Sequence, residues 1–325
     1  MRRGSTEYLM KILSEIYGRE ILRPILPIFL LIIIGSIMVP EKFLTLTNVK
    51  ILLMQLTPLA AIATGEMLVI LTGGVDLSPG SAQGFTAMLA ALIYIMTKNF
   101  SLAVLAALAM GLVIGAINGV LVTKLKIFSF VATLAGLAIW RAVDLFISGG
   151  KLIYGLTPWD IFTYSIADVI PLGFLVIVIV EIAVYIMLQY SILGRYIYAM
   201  GSNEEALRLS GVRADLVKFM VFTIAGLMYG LGGVLIIGMS GLAVDPWTAR
   251  GNELSAIASC VLGGILLTGG EGHPLGAFFG AALLTLISNI LILLGYTEYY
   301  IQQIITGVIL IGAATALSRG LRYVK

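Results

Sequence analysis

Residues 100–121 read FSLAVLAALAMGLVIGAINGVL, a run without a single charge whose one amide is Asn118. As a helix rising 1.5 Å per residue it spans about 33 Å, enough to cross a hydrocarbon core of about 30 Å. Comparable runs lie on both sides of it, at 21–39, 49–71, 81–97, 127–147, 168–190, 217–240, 253–269, 274–294 and 299–317. The whole chain is 60% apolar and 11% charged, with a mean hydropathy of +1.06, whereas soluble chains carry roughly 25% charged residues. The expected fold is therefore all-α: a polytopic membrane protein of about ten transmembrane helices.

Three parts follow from the same pattern. Residues 1–20 form an N-terminal arm, 21–317 a single transmembrane domain, and 318–325 a short tail. The arm, MRRGSTEYLMKILSEIYGRE, is too long and too acidic for a signal-peptide n-region, so it reads as a retained cytoplasmic segment. With both termini inside, fourteen of the twenty Lys and Arg residues fall on the cytoplasmic side, among them Lys124, Lys126, Arg195, Arg208, Arg213 and Lys218. That asymmetry agrees with the positive-inside rule and places the chain in the cytoplasmic membrane as a multi-pass protein.

The fourth crossing carries Gly111-x-x-x-Gly115 and the ninth Gly276-x-x-x-Gly280, five crossings apart. An odd offset reverses direction, the mark of inverted repeats, here crossings two to five and seven to ten. Gly226 and Gly230 on the seventh crossing repeat the small-xxx-small spacing that lets helices approach closely in lipid.

The chemistry-bearing residues are few. Cys260 is the only cysteine and His273 the only histidine, so neither a disulfide, a zinc set nor a catalytic triad has material. Cys260 reads as a small packed hydrophobe, and His273 as a solvated loop residue. No phosphate-cradling Gly-x-x-x-x-Gly-Lys-Ser/Thr segment exists, so ATP, if it powers this chain, is hydrolysed by another one. No cofactor is expected and no nucleic-acid partner.

Four places remain. The run Leu71-Thr72-Gly73-Gly74-Val75-Asp76-Leu77-Ser78-Pro79-Gly80-Ser81 must interrupt any helix. It is either a tight cytoplasmic turn whose Asp76 caps the following helix or a re-entrant element shaping a transport path. A second glycine cluster, 262–274, ends at Pro274, which suits a helix's first turn. In the polar stretch 191–216, Ser202 with Glu205 has the spacing of a capping box and Gly211 that of a C-cap glycine. These enclose a two-turn helix with Ala206, Leu207 and Leu209 among charges, too short to stand without something to dock on. Finally, Glu66, Glu181 and the pair Arg141/Asp144 lie within crossings, where charge is expensive and so faces protein or water. Asn118, Asn289, Gln55, Gln302 and Gln303 either bind hydroxyl groups or join helices. Glu66, Asp76, Asn118, Asn289 and Gln302 are the candidates for the translocation path.

Three of these patterns, in this order, resemble the permease subunits of ABC importers for monosaccharides of the ribose, xylose and galactose type. They are Leu71 to Ser81, Leu193-Gly194-Arg195-Tyr196 with Gly201-Ser202-Asn203-Glu204-Glu205-Ala206, and Glu253-Leu254-Ser255-Ala256-Ile257-Ala258 running into Leu262-Gly263-Gly264 and Gly269-Gly270-Glu271-Gly272. The resemblance implies two permease subunits, as a homodimer or heterodimer, two ABC ATPase subunits and an extracytoplasmic sugar-binding protein. It also implies that Gly201, Ser202, Glu204, Glu205, Ala206, Leu207, Arg208 and Gly211 belong to the helix that couples to the ATPase. Glu205-Ala206-Leu207 and Gly211 match its Glu-Ala-Ala-x-x-x-Gly start except at Leu207, and the Ile-x-Leu-Pro ending is absent. Leu266 stands where the family's glycine cluster commonly has Ser. Related nucleoside, autoinducer or branched-chain amino acid permeases are the nearest alternatives. An ion-coupled transporter using Asp76, Glu66 or Glu181 is a further one.

Overall fold

The computed structural model describes residues 22–298, 300–305, 307–308 and 311–312. The arm, the tail and nine of the nineteen residues of the tenth expected crossing lie outside these residues. Helices dominate: α1 (Leu22–Met38), α2 (Pro40–Phe43), α3 (Leu46–Leu71), α4 (Pro79–Thr97), α5 (Phe100–Thr123), α6 (Ser129–Ser148), α7 (Leu172–Tyr190), α8 (Ile192–Leu209), α9 (Ala214–Met239), α10 (Asn252–Leu262) and α11 (Gly276–Leu293). Between α6 and α7 lie a 3₁₀ turn, Thr157–Phe162, and a hairpin of two antiparallel two-residue strands, β1 (Ser165–Ile166) and β2 (Ile170–Pro171).

Among the described residues seven helices, α3, α4, α5, α6, α7, α9 and α11, are long and apolar enough to cross a membrane. The polytopic all-α reading stands, with one correction. The eighth expected crossing, 253–269, is not a crossing helix. It ends at Leu262 after 11 residues, about 16 Å and so half a hydrocarbon core. Gly263 caps it, and Gly264 turns left-handed at φ +81°, which removes the chain from the helical course. Apolar composition alone could not reveal this stop.

The core is built on α3 and α9, each 26 residues long and largely buried. They pack on each other and on nearly everything else: α5 and α4 against α9, α11 and α10 against α3. Exchanging α3, α4 and α5 with α9, α10 and α11 turns each of these contacts into another. Both central helices end in a glycine-initiated break carrying an acid, Gly73 to Asp76 and Gly241 to Asp245, with Gly73 and Gly241 both at positive φ.

Where α5 meets α9 the joint is glycine on glycine. A Cβ on Gly226 of α9 would stand 2.7 Å from the Gly115 Cα and well inside contact with the Gly111 oxygen. The spacings on the fourth and seventh crossings are therefore one interface, the bare stripe of α5 laid into that of α9. Close backbone approach substitutes here for the hydrophobic driving force that lipid removes.

Candidate functional site

The segment 72–78 is not a solvated turn. Thr72, Asp76 and Ser78 are buried, at the junction of α3, α5, α6 and α9. Backbone freed from helix at that depth must find partners, and side chains supply them. The Val75 N–H donates to Ser129 Oγ at 3.1 Å and the Leu77 N–H to Thr133 Oγ1 at 2.9 Å, both on α6. The Asp76 N–H donates to Glu66 Oε1 at 3.1 Å. Asp76 Oδ1 accepts from the Ser78 N–H at 2.7 Å and the Ser78 hydroxyl at 2.6 Å. Asn118 Nδ2 donates to Ser78 Oγ at 2.9 Å and reaches Asp76 Oδ2 at 3.5 Å. The Tyr229 hydroxyl, from α9, lies 3.3 Å from Asp76 Oδ2 and 3.5 Å from Glu66 Oε2.

Three of the five candidate path residues, Glu66, Asp76 and Asn118, thus form one cluster. Both carboxylates are fully buried, and among the described residues no Lys or Arg pairs with them. Neutral donors alone hold the acids, which ties the break to four helices. Tyr229, Ser78, Ser129 and Thr133 were not legible as members: each sits in an apolar or motif context, and only packing brings them to one point.

The other two candidates lie elsewhere. Asn289 exchanges two hydrogen bonds with Asn48, at 2.8 and 3.1 Å, and so joins α11 to α3. Gln302 reaches the carbonyls of Tyr296 and Thr297, both at 3.5 Å. Glu181 accepts from the Thr64 hydroxyl, linking α7 to α3. Cys260 is buried, its thiol directed at the Ala63 carbonyl 3.4 Å away. His273 is half-buried instead of solvated, its Nδ1 accepting from the Leu275 N–H at 3.2 Å.

The polar stretch folds as α8, with non-helical geometry at Asn203 (φ −162°, ψ 97°) dividing it in two. Residues 204–209 are the expected short helix, but its cap is a different residue. Asn203 Oδ1 accepts from the Ala206 N–H at 2.9 Å, whereas Ser202 Oγ donates backward to the Tyr198 carbonyl at 3.0 Å. Ser202 still belongs to the preceding helix, so the break comes one residue later than the capping-box spacing suggests. Asn203→Ala is accordingly expected to cost the short helix about 1 kcal/mol and to speed amide exchange over 204–209, with Ser202→Ala leaving it unchanged. Equal effects of both would restore the original cap.

Gly211 behaves as a C-cap glycine at φ +86°, its N–H donating to the Arg208 carbonyl at 3.0 Å. Of the apolar residues, Leu207 is buried at 7% exposure and Leu209 stands out at 83%. Ions brace the segment: Glu204 bonds Lys218 at 2.7 Å and Arg208 at 2.8 Å, and Arg208 also pairs with Asp215, which Lys126 holds from the other side at 2.7 Å. Burial pushes the Glu204 carboxyl up, yet the bonds from Lys218 and Arg208 outweigh it and hold the group below the usual glutamate value. A carboxyl depressed in the folded state contributes stability above its ordinary range and loses it as pH falls through its folded value. The brace is thus intact at neutral pH and loosens in acid.

The three family-like patterns, far apart in sequence, meet behind this helix. The Gly270 N–H donates to the Leu71 carbonyl at 3.0 Å. A Cβ on Gly269 would lie 2.6 Å from the Gly73 nitrogen and 3.1 Å from the Gly201 Cα, and one on Gly270 2.6 Å from the Ser202 nitrogen. The Tyr198 hydroxyl adds a bond to the Gly272 carbonyl at 2.8 Å. Three backbones without side chains form a contact node between the short helix and the Asp76 break.

Comparison with known proteins gives the family. Residues 48–314 match the family described as branched-chain amino acid transport system / permease component. The ribose import permease protein of Escherichia coli (strain K12) is 38% identical over 294 residues, 89% of this chain and 91% of that one. The autoinducer 2 import system permease protein of Yersinia pseudotuberculosis is 38% identical over 259 residues, 78% of this chain and 72% of its own. That of Yersinia enterocolitica is 36% identical over 257 residues, 78% and 70%. The match runs over most of the chain's length, and the chain belongs to the branched-chain amino acid transport system / permease component family.

Proposed function

We propose that this chain is the membrane-spanning permease of an ATP-driven ABC importer, which carries a monosaccharide handed over by an extracytoplasmic binding protein. Two permease subunits enclose the path and two ATPase subunits dock on the helix 204–209. The observation that carries this reading is that helix itself: capped at both ends, braced by ions, and presenting exposed Glu205, Ala206 and Leu209 away from the bundle. A segment of two turns has no reason to be held out unless something receives it. Both termini and this helix are cytoplasmic, in agreement with the excess of Lys and Arg on that side.

The node of Gly73, Gly201, Gly269 and Gly270 supplies the transmission. Movement imposed on 204–209 reaches Leu71 and Gly73 through direct backbone contact, and from there the Asp76 break and the four helices bonded to it. Glu66, Asp76 and Asn118 then act as the hub that shifts these helices together. Ribose and autoinducer 2 are the first solutes to try, since similar permeases are named for them.

ATP-dependent uptake of ribose into proteoliposomes containing the chain, its ATPase and its binding protein tests the reading. Uptake that follows an imposed ion gradient without the ATPase would refute it. Within that assay, Gly211→Pro and Glu205→Arg are expected to abolish transport with membrane insertion intact. Proline cannot take φ +86° or donate the N–H, and Arg reverses the charge offered to the partner. Wild-type uptake in both variants would remove the docking assignment.

A further inference from the structure

Arg141 and Asp144 on α6 lie far from the 204–209 helix, beside the strap 241–251 that leaves the other end of α9. Asp144 is fully buried and neither of its carboxylate oxygens has a hydrogen bond. Arg141 Nη1 comes only to 4.0 Å of it, because the guanidinium donates instead to the strap, to the Thr248 carbonyl at 2.9 Å and the Pro246 carbonyl at 3.3 Å. Glu253 Oε2, on the first turn of α10, is also buried and unbonded.

These groups converge on one face of α4, where Gly80 and Gly84 are a turn apart. A Cβ on Gly84 would lie 2.6 Å from the Thr248 carbonyl, 3.0 Å from Arg141 Nη1 and 3.5 Å from Asp144 Oδ2. One on Gly80 would collide with Glu253 Oε2 and stand 2.8 Å from the Ala249 carbonyl. Amides adjoin them: Asn252 Nδ2 donates to Gln83 Oε1 at 2.9 Å. The charges acting on Arg141 are Asp144, Glu253, Arg250 and Asp245.

A buried carboxylate without donors bears its full desolvation cost. Three such oxygens in one region, beside a guanidinium engaged by the strap, are an acceptor set prepared for donors that come from outside the fold. The strap is held under strain, for Leu242 and Ala249 are both left-handed at φ +62°, a conformation unfavourable for residues with a side chain. Its anchors include the two bonds from Arg141 and a backbone bridge between Val244 and Ile153.

We propose that Asp144, Glu253 and Arg141 form the outer recognition site for a neutral, polyhydroxylated solute, uncovered when the strap 241–251 lifts off Arg141. Each carboxylate accepts hydroxyl protons and the released guanidinium donates to hydroxyl oxygens. A solute bearing its own carboxylate, as an amino acid does, would meet two acids there and be repelled. Among the described residues no cluster of acids, His and Cys is suited to a metal ion. The proposal rests on the sugar-importer reading and identifies which residues of the path contact the sugar.

The test uses the assembled importer in proteoliposomes, with ATP-driven uptake of D-ribose and of deoxyribose measured side by side. The binding protein is common to every arm, so a change in the ratio of the two belongs to the permease. Asp144→Asn and Glu253→Gln are each expected to lower the ribose-to-deoxyribose ratio about tenfold, since a charged acceptor facing a hydroxyl is lost. Exchanging the pair, Arg141→Asp with Asp144→Arg, is expected to leave uptake impaired. An unchanged ratio in both single variants, or restoration of uptake and ratio by the exchange, would overturn the proposal and make the pair a structural ion bridge. Should Asp144→Asn fail to assemble, Glu253→Gln decides alone. Wild-type uptake that follows an imposed ion gradient without the ATPase would overturn the functional reading itself, and the inference with it.

Discussion

Gly201→Ala is expected to cut solute uptake by the assembled importer by more than about tenfold, a loss of about 1.4 kcal/mol or more in the rate-limiting step, while ATP hydrolysis continues. The added methyl group has no place to go. It would meet the Leu71 carbonyl and the Gly270 nitrogen and stand 2.8 Å from the Gly269 carbonyl carbon, backbone atoms that cannot rotate away as a side chain can. The node must open, and its opening separates the short helix from the Asp76 break without touching either one. ATP hydrolysis and uptake measured on the same proteoliposomes give the answer. Both at wild-type level would show that force does not pass through this contact.

The second large effect is on the bundle. Gly226→Leu is expected to leave synthesis and insertion intact, since the apolar run is only enriched, but to prevent α9 from seating on α5. Overpacking of a tight joint costs about 1–3 kcal/mol even where side chains can yield, and here the opposing atoms are the backbone of Gly111 and Gly115. Gly119→Ala is the control, because its new Cβ would stand 3.0 Å from the Phe219 ring and no closer than 3.2 Å to the Phe219 backbone, a misfit that a shift of a few tenths of an ångström relieves. Thermal unfolding in detergent should separate the two by many degrees. Equal melting temperatures would mean that the glycine stripes are not the joint that holds the central helices.

The two expectations draw on different kinds of information. Gly226 could be singled out from spacing alone, because small residues four apart in an apolar run have one physical use, close helix contact. What it contacts was not available from spacing: Gly111-x-x-x-Gly115 looked like half of a repeat and is also the surface against which Gly226 packs. Gly201 is harder still. In sequence it is one glycine in a polar stretch, and its partners lie some 130 residues before it and 70 after it. A contact of that range is set by how whole helices pack.

Hydropathy by itself determined that this chain crosses the membrane repeatedly, because burying or exposing an apolar run is a property of the run and not of its neighbours. Caps, breaks and convergence were decided by tertiary structure. Asn203 displaced Ser202 as cap because the preceding helix continues one residue further, and α10 stopped short because Gly264 could turn where other residues resist. Glu66, Asp76, Asn118 and Tyr229 became one cluster only once α3, α5 and α9 were brought within hydrogen-bonding distance. Polar groups in lipid must find partners, and which partners they find depends on the arrangement of the helices around them.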